Sequence, residues 1–258
     1  MKLTFLGTGT SFGVPQLGCG CEVCRSTDPR DKRTRVGAVV ETDGGAVILI
    51  DTPPELRLQL LATRITRVDA VLFTHLHADH THGIDDLRAI TARRDTHLPM
   101  YGSADTLDGL AQKFDYIFDD RIRPAPGTSK PQGRAIALAP GLPTRIADVE
   151  VIAVPVPHGP VTVFGYRIGP LAYVTDAQSM PDSAIGALRG ARVLVINALF
   201  HTPHPSHLSV SEAVDAAQRI GAEMTYLTHL THENFHAALE AELPAGIAPA
   251  YDGLSIPV

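Results

Sequence analysis

Four apolar runs in this chain each end, within a residue or two, on a side chain that can ligate a metal. Leu72-Phe73-Thr74 leads to His75, Val154-Pro155-Val156-Pro157 to His158, Ala172-Tyr173-Val174-Thr175 to Asp176, and Tyr226-Leu227-Thr228 to His229. Apolar runs this short, bounded by polar residues, read as buried strands. Strand ends are rigid, and polar side chains delivered there from separate strands can converge on one point. One such residue is unremarkable by chance; four read as a site.

The rest of the chain supplies a layered α/β pattern around those runs. Strands are predicted over 2–7, 36–42, 46–50, 69–74, 149–156, 161–168, 171–175, 193–198 and 224–228. The second and third form a hairpin through Asp43-Gly44-Gly45, a strong turn signal. Helical spacing covers 54–64, 85–94, 183–188, 209–220 and 233–242, and Ser209 with Glu212 three residues on is a capping box. The Pro- and Gly-rich stretch 121–142 reads as an irregular connection within one domain spanning 1–258.

Composition removes several classes of function. Hydrophobic residues make up 44% of the 258, and charged residues 19%, which excludes a disordered chain. Lys+Arg 22 against Asp+Glu 28 gives a net charge of −6, with no basic run longer than two, so a sequence-independent grip on duplex nucleic acid is not expected. No stretch of 18 apolar residues occurs, so no membrane span is expected. Met1-Lys2-Leu3-Thr4-Phe5-Leu6-Gly7 reaches glycine before a signal-peptide core forms, and a cytoplasmic location is the expectation. The three cysteines all fall within 19–24, too few and too close for a disulfide framework.

Twelve histidines stand in a chain with no tryptophan, and most of them cluster. His75-Leu76-His77-Ala78-Asp79-His80 is the densest group. In a regular helix, residues two apart point away from each other, so this segment is expected to be a loop. A loop can turn His75 and His77 toward one ion and Asp79 and His80 toward another. Imidazole with carboxylate suits Zn²⁺, Mn²⁺ or Fe. Cys19-Gly20-Cys21-Glu22-Val23-Cys24 is a second candidate, a knuckle of three thiolates favouring a structural Zn²⁺. His232, three residues beyond His229, is the candidate fourth ligand. Asp51, at its strand end, is either an acceptor orienting an imidazole or a helix cap before Pro53.

The His-x-His-x-Asp-His segment resembles the signature of the metallo-β-lactamase superfamily, and His158, Asp176 and His229 follow in that family's order. The resemblance covers nearly the whole chain, from Phe5-Leu6-Gly7-Thr8-Gly9 to His229. It implies a four-layer αββα sandwich with the site along one edge. It also implies two divalent metals: His75, His77 and His158 on one, Asp79, His80 and His229 on the other, with Asp176 bridging. Two dications side by side can activate a water and clamp both oxygens of an in-line displacement. Together with the Cys-x-Cys-x-x-Cys and His-x-x-His segments, the motif resembles the phosphoribosyl cyclic phosphodiesterase subfamily of phosphonate degradation. Asp79-His80-Thr81-His82-Gly83-Ile84-Asp85-Asp86-Leu87-Arg88 is similar to its extended motif. A homodimer is an expectation of the same origin.

In that resemblance His207, within Pro203-His204-Pro205-Ser206-His207-Leu208-Ser209, matches a histidine that contacts phosphate and protonates the leaving alkoxide. Such a group contributes about 10²–10⁴ in rate. Asp79 and His207 are thus the positions carried as catalytic. His204 reads as a hydrogen-bonded loop residue, His82 as a neighbour of the pocket, and His97, His201 and His236 as solvated or packed. Arg57 and Arg88 read as solvated helix positions. Phe114-Asp115-Tyr116-Ile117-Phe118 is open to three readings: a lid over a base or sugar, a dimer contact, or plain packing.

The expected activity is hydrolysis of a small cyclic or nucleotide-like phosphodiester. The alternatives are an RNA-processing nuclease, for which a basic surface or extra arm is expected, a lactam or thioester hydrolase, and a non-catalytic metal-holding module. The last typically lacks a ligand, whereas all seven positions here are filled.

Overall fold

Strands with apolar residues on both faces need cover on both faces. In the computed structural model, which describes residues 1–94 and 96–258, two seven-stranded sheets stack face to face and helices cover each outer face. The strands in chain order are β1 (Lys2–Gly7), β2 (Gly37–Glu41), β3 (Val47–Ile50), β4 (Ala70–Leu72), β5 (Leu98–Gly102), β6 (Gly133–Ala137) and β7 (Pro143–Ile146). They continue as β8 (Val149–His158), β9 (Val161–Ile168), β10 (Leu171–Val174), β11 (Val193–Asn197), β12 (Met224–Thr228), β13 (Ile247–Pro249) and β14 (Ser255–Pro257). One sheet runs β14-β1-β2-β3-β4-β5-β6, the other β13-β12-β11-β10-β9-β8-β7. This is the αββα sandwich of the metallo-β-lactamase fold.

Alternation decides which side chain goes to which layer. Ala38, Val40, Ile48 and Ile50 meet Tyr166, Ile168, Tyr173 and Val195 between the sheets. Their neighbours Val39 and Leu49 face outward beneath Leu56, Leu60, Leu107 and Leu110. On the other side Ala172, Val174, Leu194 and Ile196 lie beneath Ala184, Ile185, Ala213 and Ala217. Burial of such side chains stabilises by about 25 cal/mol per Å² of apolar area removed from water.

The parallel parts position the site. Strands β3 to β6 are parallel neighbours, as are β10 to β13, so their carboxyl ends gather on one edge of each sheet. Two hydrogen bonds tie the sheets together there. The Phe164 amide donates to the Thr74 carbonyl at 2.9 Å, and the Tyr166 hydroxyl to the Phe73 carbonyl at 2.5 Å.

Three local expectations change. The segment predicted as a helix over 85–94 is a 3₁₀ turn at Ile84–Leu87 followed by a short helix at Arg88–Thr91. Its inward residues Ile84, Leu87 and Ile90 are spaced by three, which suits three residues per turn. The expected irregular connection 121–142 contains β6, an edge strand whose exposed outer positions carry almost no alternation signal. The histidine segment is not wholly a loop: Ala78–Thr81 is a single helical turn with His77 at its N-cap. Asp79 and His80 are adjacent on that turn and diverge by about 100°, the step of 3.6 residues per turn.

Candidate metal centre

Asp51, Asp176 and His229 follow the ends of β3, β10 and β12, and each holds a left-handed backbone, at φ 62°, 58° and 59°. A residue with a Cβ adopts this only at a cost of order 1–3 kcal/mol, and such strain collects at functional sites. Here it turns each side chain off its strand and back toward the shared edge. His158 closes β8, and His75 follows β4 by way of Phe73 and Thr74.

The side chains so delivered converge. His75, His77, His158 and Asp176 each offer a ligand atom, all within 4.8 Å of one another. The same holds for Asp79, His80 and His229. His75 Nε2 lies 2.9 Å from His77 Nδ1, and His158 Nε2 lies 3.4 Å from the same atom. Asp176 is the hub. Its Oδ2 stands 3.4 Å from His207 Nε2, 3.5 Å from His80 Nε2, 3.7 Å from His75 Nε2 and 3.9 Å from His158 Nε2, while its Oδ1 is 3.4 Å from His229 Nε2. Metal–nitrogen and metal–oxygen bonds of about 2.0–2.2 Å place tetrahedral donors about 3.4 Å apart, close to these separations.

A stricter test of fit is polar satisfaction. His80 Nε2, and both ring nitrogens of His229, are buried and have no hydrogen-bond partner among the described residues. An unpartnered buried polar atom is costly, and a cation satisfies it. The His80 ring is held for this from behind. Its Nδ1 donates to Asp51 Oδ2 at 2.8 Å, and Asp51 also accepts from the Thr74 amide and the Thr74 hydroxyl, each at 2.8 Å. Asp51 is therefore the imidazole-orienting acceptor of its two readings. His158 is held likewise, its Nδ1 donating to the Ser206 carbonyl at 2.9 Å.

Electrostatics follows the same geometry. Burial alone pushes the Asp176 carboxyl up, but His229 and His80 outweigh it and hold it well below the usual carboxylate range. Burial pushes His75 well down and His229 down to about 4, which keeps both rings neutral and able to offer a lone pair. His80 goes the other way: the carboxylates of Asp176, Asp51 and Asp79 outweigh its burial.

The second candidate is also assembled. Cys19, Cys21, Cys24 and His232 bring their ligand atoms within 4.8 Å of one another. His232 Nδ1 is 3.3 Å from Cys19 Sγ and 3.4 Å from Cys21 Sγ. Cys24 packs with Val14 and Val23, so the knuckle has a small core of its own.

Other residues sort by their contacts. His207 stacks on His229, with ring centroids 4.8 Å apart, and with Asp176 and His229 it forms a third donor group that the sequence did not suggest. Its Nδ1 lies 2.9 Å from the Ser206 hydroxyl. Ser206 and Thr74 carry no motif, and only the folded chain gives them a place in the site. His204 bonds to Ser206 and sits 5.4 Å from the His207 ring. His82 meets Phe114 edge-on. Arg88 is held by Asp85 and the Ser129 carbonyl, and Arg57 is exposed. In the aromatic segment Ile117 is fully buried, Phe114, Tyr116 and Phe118 pack on the same core, and the Tyr116 hydroxyl donates to Asp85.

Residues 47–230 match the family model of the beta-lactamase superfamily domain. The chain belongs to that superfamily, and its two stacked sheets have the metallo-β-lactamase fold. Among solved structures it is similar to a diphosphatase of the PhnP family, with 38% identity over all of this chain and 97% of the other, at a TM-score of 0.90. It also shares its fold with zinc-bound PqqB from Methylobacterium extorquens, at 18% identity, full coverage of both chains and a TM-score of 0.81. A curated relative from Porphyromonas gingivalis named octanoyltransferase is 41% identical over 98% of this chain and 51% of its own length. The chain thus spans about half the length of the curated relatives it matches.

Proposed function

We propose that this chain is a dinuclear metal-dependent phosphodiesterase acting on small cyclic or nucleotide-like phosphodiesters. In this reading His75, His77 and His158 hold one divalent ion, Asp79, His80 and His229 the other, and Asp176 bridges. Cys19, Cys21, Cys24 and His232 hold a structural Zn²⁺. The observation that carries the reading is the Asp176 carboxylate, 3.4–3.9 Å from imidazole nitrogens of five histidines.

Two dications bound there, as Zn²⁺, Mn²⁺ or Fe²⁺, supply Lewis acidity at the phosphoryl oxygens and a water nucleophile at neutral pH. The chain does the rest. Asp51 and the Ser206 carbonyl hold the rings of His80 and His158 in one tautomer and one plane. His207, fixed by Ser206 at Nδ1 and by stacking on His229, presents Nε2 over the hub, where it donates a proton to the leaving oxygen. A net charge of −6 supports a small substrate over an RNA polyanion. The diphosphatase relative, similar along its whole length, supports phosphate chemistry. The octanoyltransferase name belongs to a protein of about twice this length.

The test is hydrolysis by metal-reconstituted protein of bis(p-nitrophenyl) phosphate, its monoester and a chromogenic lactam. Diester turnover that disappears on chelation and exceeds the monoester rate is the expected result. Lactam turnover with silence on the diester would overturn it.

A further inference from the structure

A cavity of about 700 Å³ opens between the His75-Leu76-His77 turn, the helix Ala104–Lys113 and the β8–β9 hairpin. His75 and His77 themselves line it, so a phosphoryl group held at the histidine cluster leaves the remainder of its substrate in this space. Cavities of roughly 300–1,000 Å³ accommodate ligands of drug size, and a lone methyl or ethyl ester leaves most of this one empty. The cavity reaches past the first atoms of a leaving group.

Its lining has two characters. The hairpin contributes an apolar wall of Pro155, Pro160, Val161 and Phe164, and Val161 is 46% exposed at the hairpin tip. A flat ring covers such a wall and removes it from water. The helix contributes the polar wall, with one charge of each sign, Asp105 and Lys113. The Lys113 ammonium donates to the Leu76 carbonyl at 3.3 Å. That bond places a cation on the backbone between His75 and His77. Asp105 is exposed, and a carboxylate repels phosphate but accepts from hydroxyls.

Resting on the phosphodiesterase reading above, we infer that this cavity is a nucleoside subsite. The base lies against Val161 and Phe164, the sugar hydroxyls bond to Asp105, and Lys113 flanks the phosphate. The substrate class is then a phosphoester of a nucleoside, in preference to an alkyl or a plain sugar phosphate.

Binding tests this apart from catalysis. Adenosine 5′-monophosphate, adenosine and ribose 5-phosphate are titrated calorimetrically into the metal-reconstituted protein and into its Lys113→Ala, Asp105→Asn and Val161→Asp variants. Adenosine 5′-monophosphate is expected to bind at least about tenfold more tightly than ribose 5-phosphate, the weight of one well-buried ring. Lys113→Ala weakens the nucleotide about tenfold, as expected for one charge-assisted contact, and adenosine less. Asp105→Asn and Val161→Asp weaken nucleotide and nucleoside alike. Equal binding of ribose 5-phosphate and the nucleotide overturns the subsite, as does adenosine binding indifferent to both Asp105→Asn and Val161→Asp. Either failure leaves diester turnover untouched, whereas nucleotide binding without diester turnover sinks the catalytic reading and keeps the subsite.

Discussion

His80 Nδ1 donates to Asp51 Oδ2 at 2.8 Å, with both residues fully buried, and this bond fixes the ring so that the opposite nitrogen, Nε2, faces Asp176. Asp51 in turn is locked by the amide and hydroxyl of Thr74, the residue before His75. One carboxylate thus aligns the two ends of the histidine segment.

Asp51→Asn keeps the volume and removes the charged acceptor. The expected result is a 10–100-fold loss of metal affinity, the usual weight of such a partner, read by chelator competition. Unchanged affinity would mean that Asp51 serves packing alone.

Gly83→Ala tests the same frame through the backbone. A Cβ there stands 2.0 Å from the Pro53 carbonyl oxygen and 2.9 Å from Leu56 Cβ. Neither neighbour is a flexible side-chain end, and the Gly83 amide already bonds to Thr52, next to Asp51, at 2.8 Å. The loss is expected to be about 1–3 kcal/mol by denaturant melting. Gly186→Ala is the contrast: it is exposed in the helix Asp182–Leu188 with nothing within 4 Å, and the gain is up to about 1 kcal/mol.

His207→Ala separates acid from ligand. With a poor leaving group, turnover is expected to fall by about 10²–10⁴, with a smaller fall for p-nitrophenolate, while metal content stays constant. A fall in metal content measured by emission spectrometry would instead place His207 in the coordination sphere with Asp176 and His229.

Cys21 and Cys24 differ in reactivity once the protein is stripped of metal. The Cys24 amide, with His232 behind it, lowers the Cys21 thiol to about 6, whereas burial pushes Cys24 up. Cys21 is thiolate above about pH 6, so iodoacetamide at pH 7 is expected to label Cys21 before Cys24, and labelling of Cys21 slows as pH falls below 6. Reconstitution with Zn²⁺ is expected to protect both. Equal labelling of the two by mass spectrometry would contradict this microenvironment.

The local pattern determined a good deal by itself. Runs such as 171–174 and 193–196 are apolar at every position, so each side chain lands in a layer whichever way the strand turns, and the two-faced sheets follow. Motif spacing and strand-end position singled out the candidate donors from His75 to His229. Tertiary structure decided the rest. Asp51 reads as cap or acceptor until β3 and β4 lie side by side and bring Thr74 and His80 to its oxygens. Ser206 is an ordinary loop residue until the second sheet sets its carbonyl against His158. The helix that carries Asp105 and Lys113 bears no motif at all. Its meaning depends on the loop it faces, and contacts between segments distant in sequence leave no periodic trace along the chain.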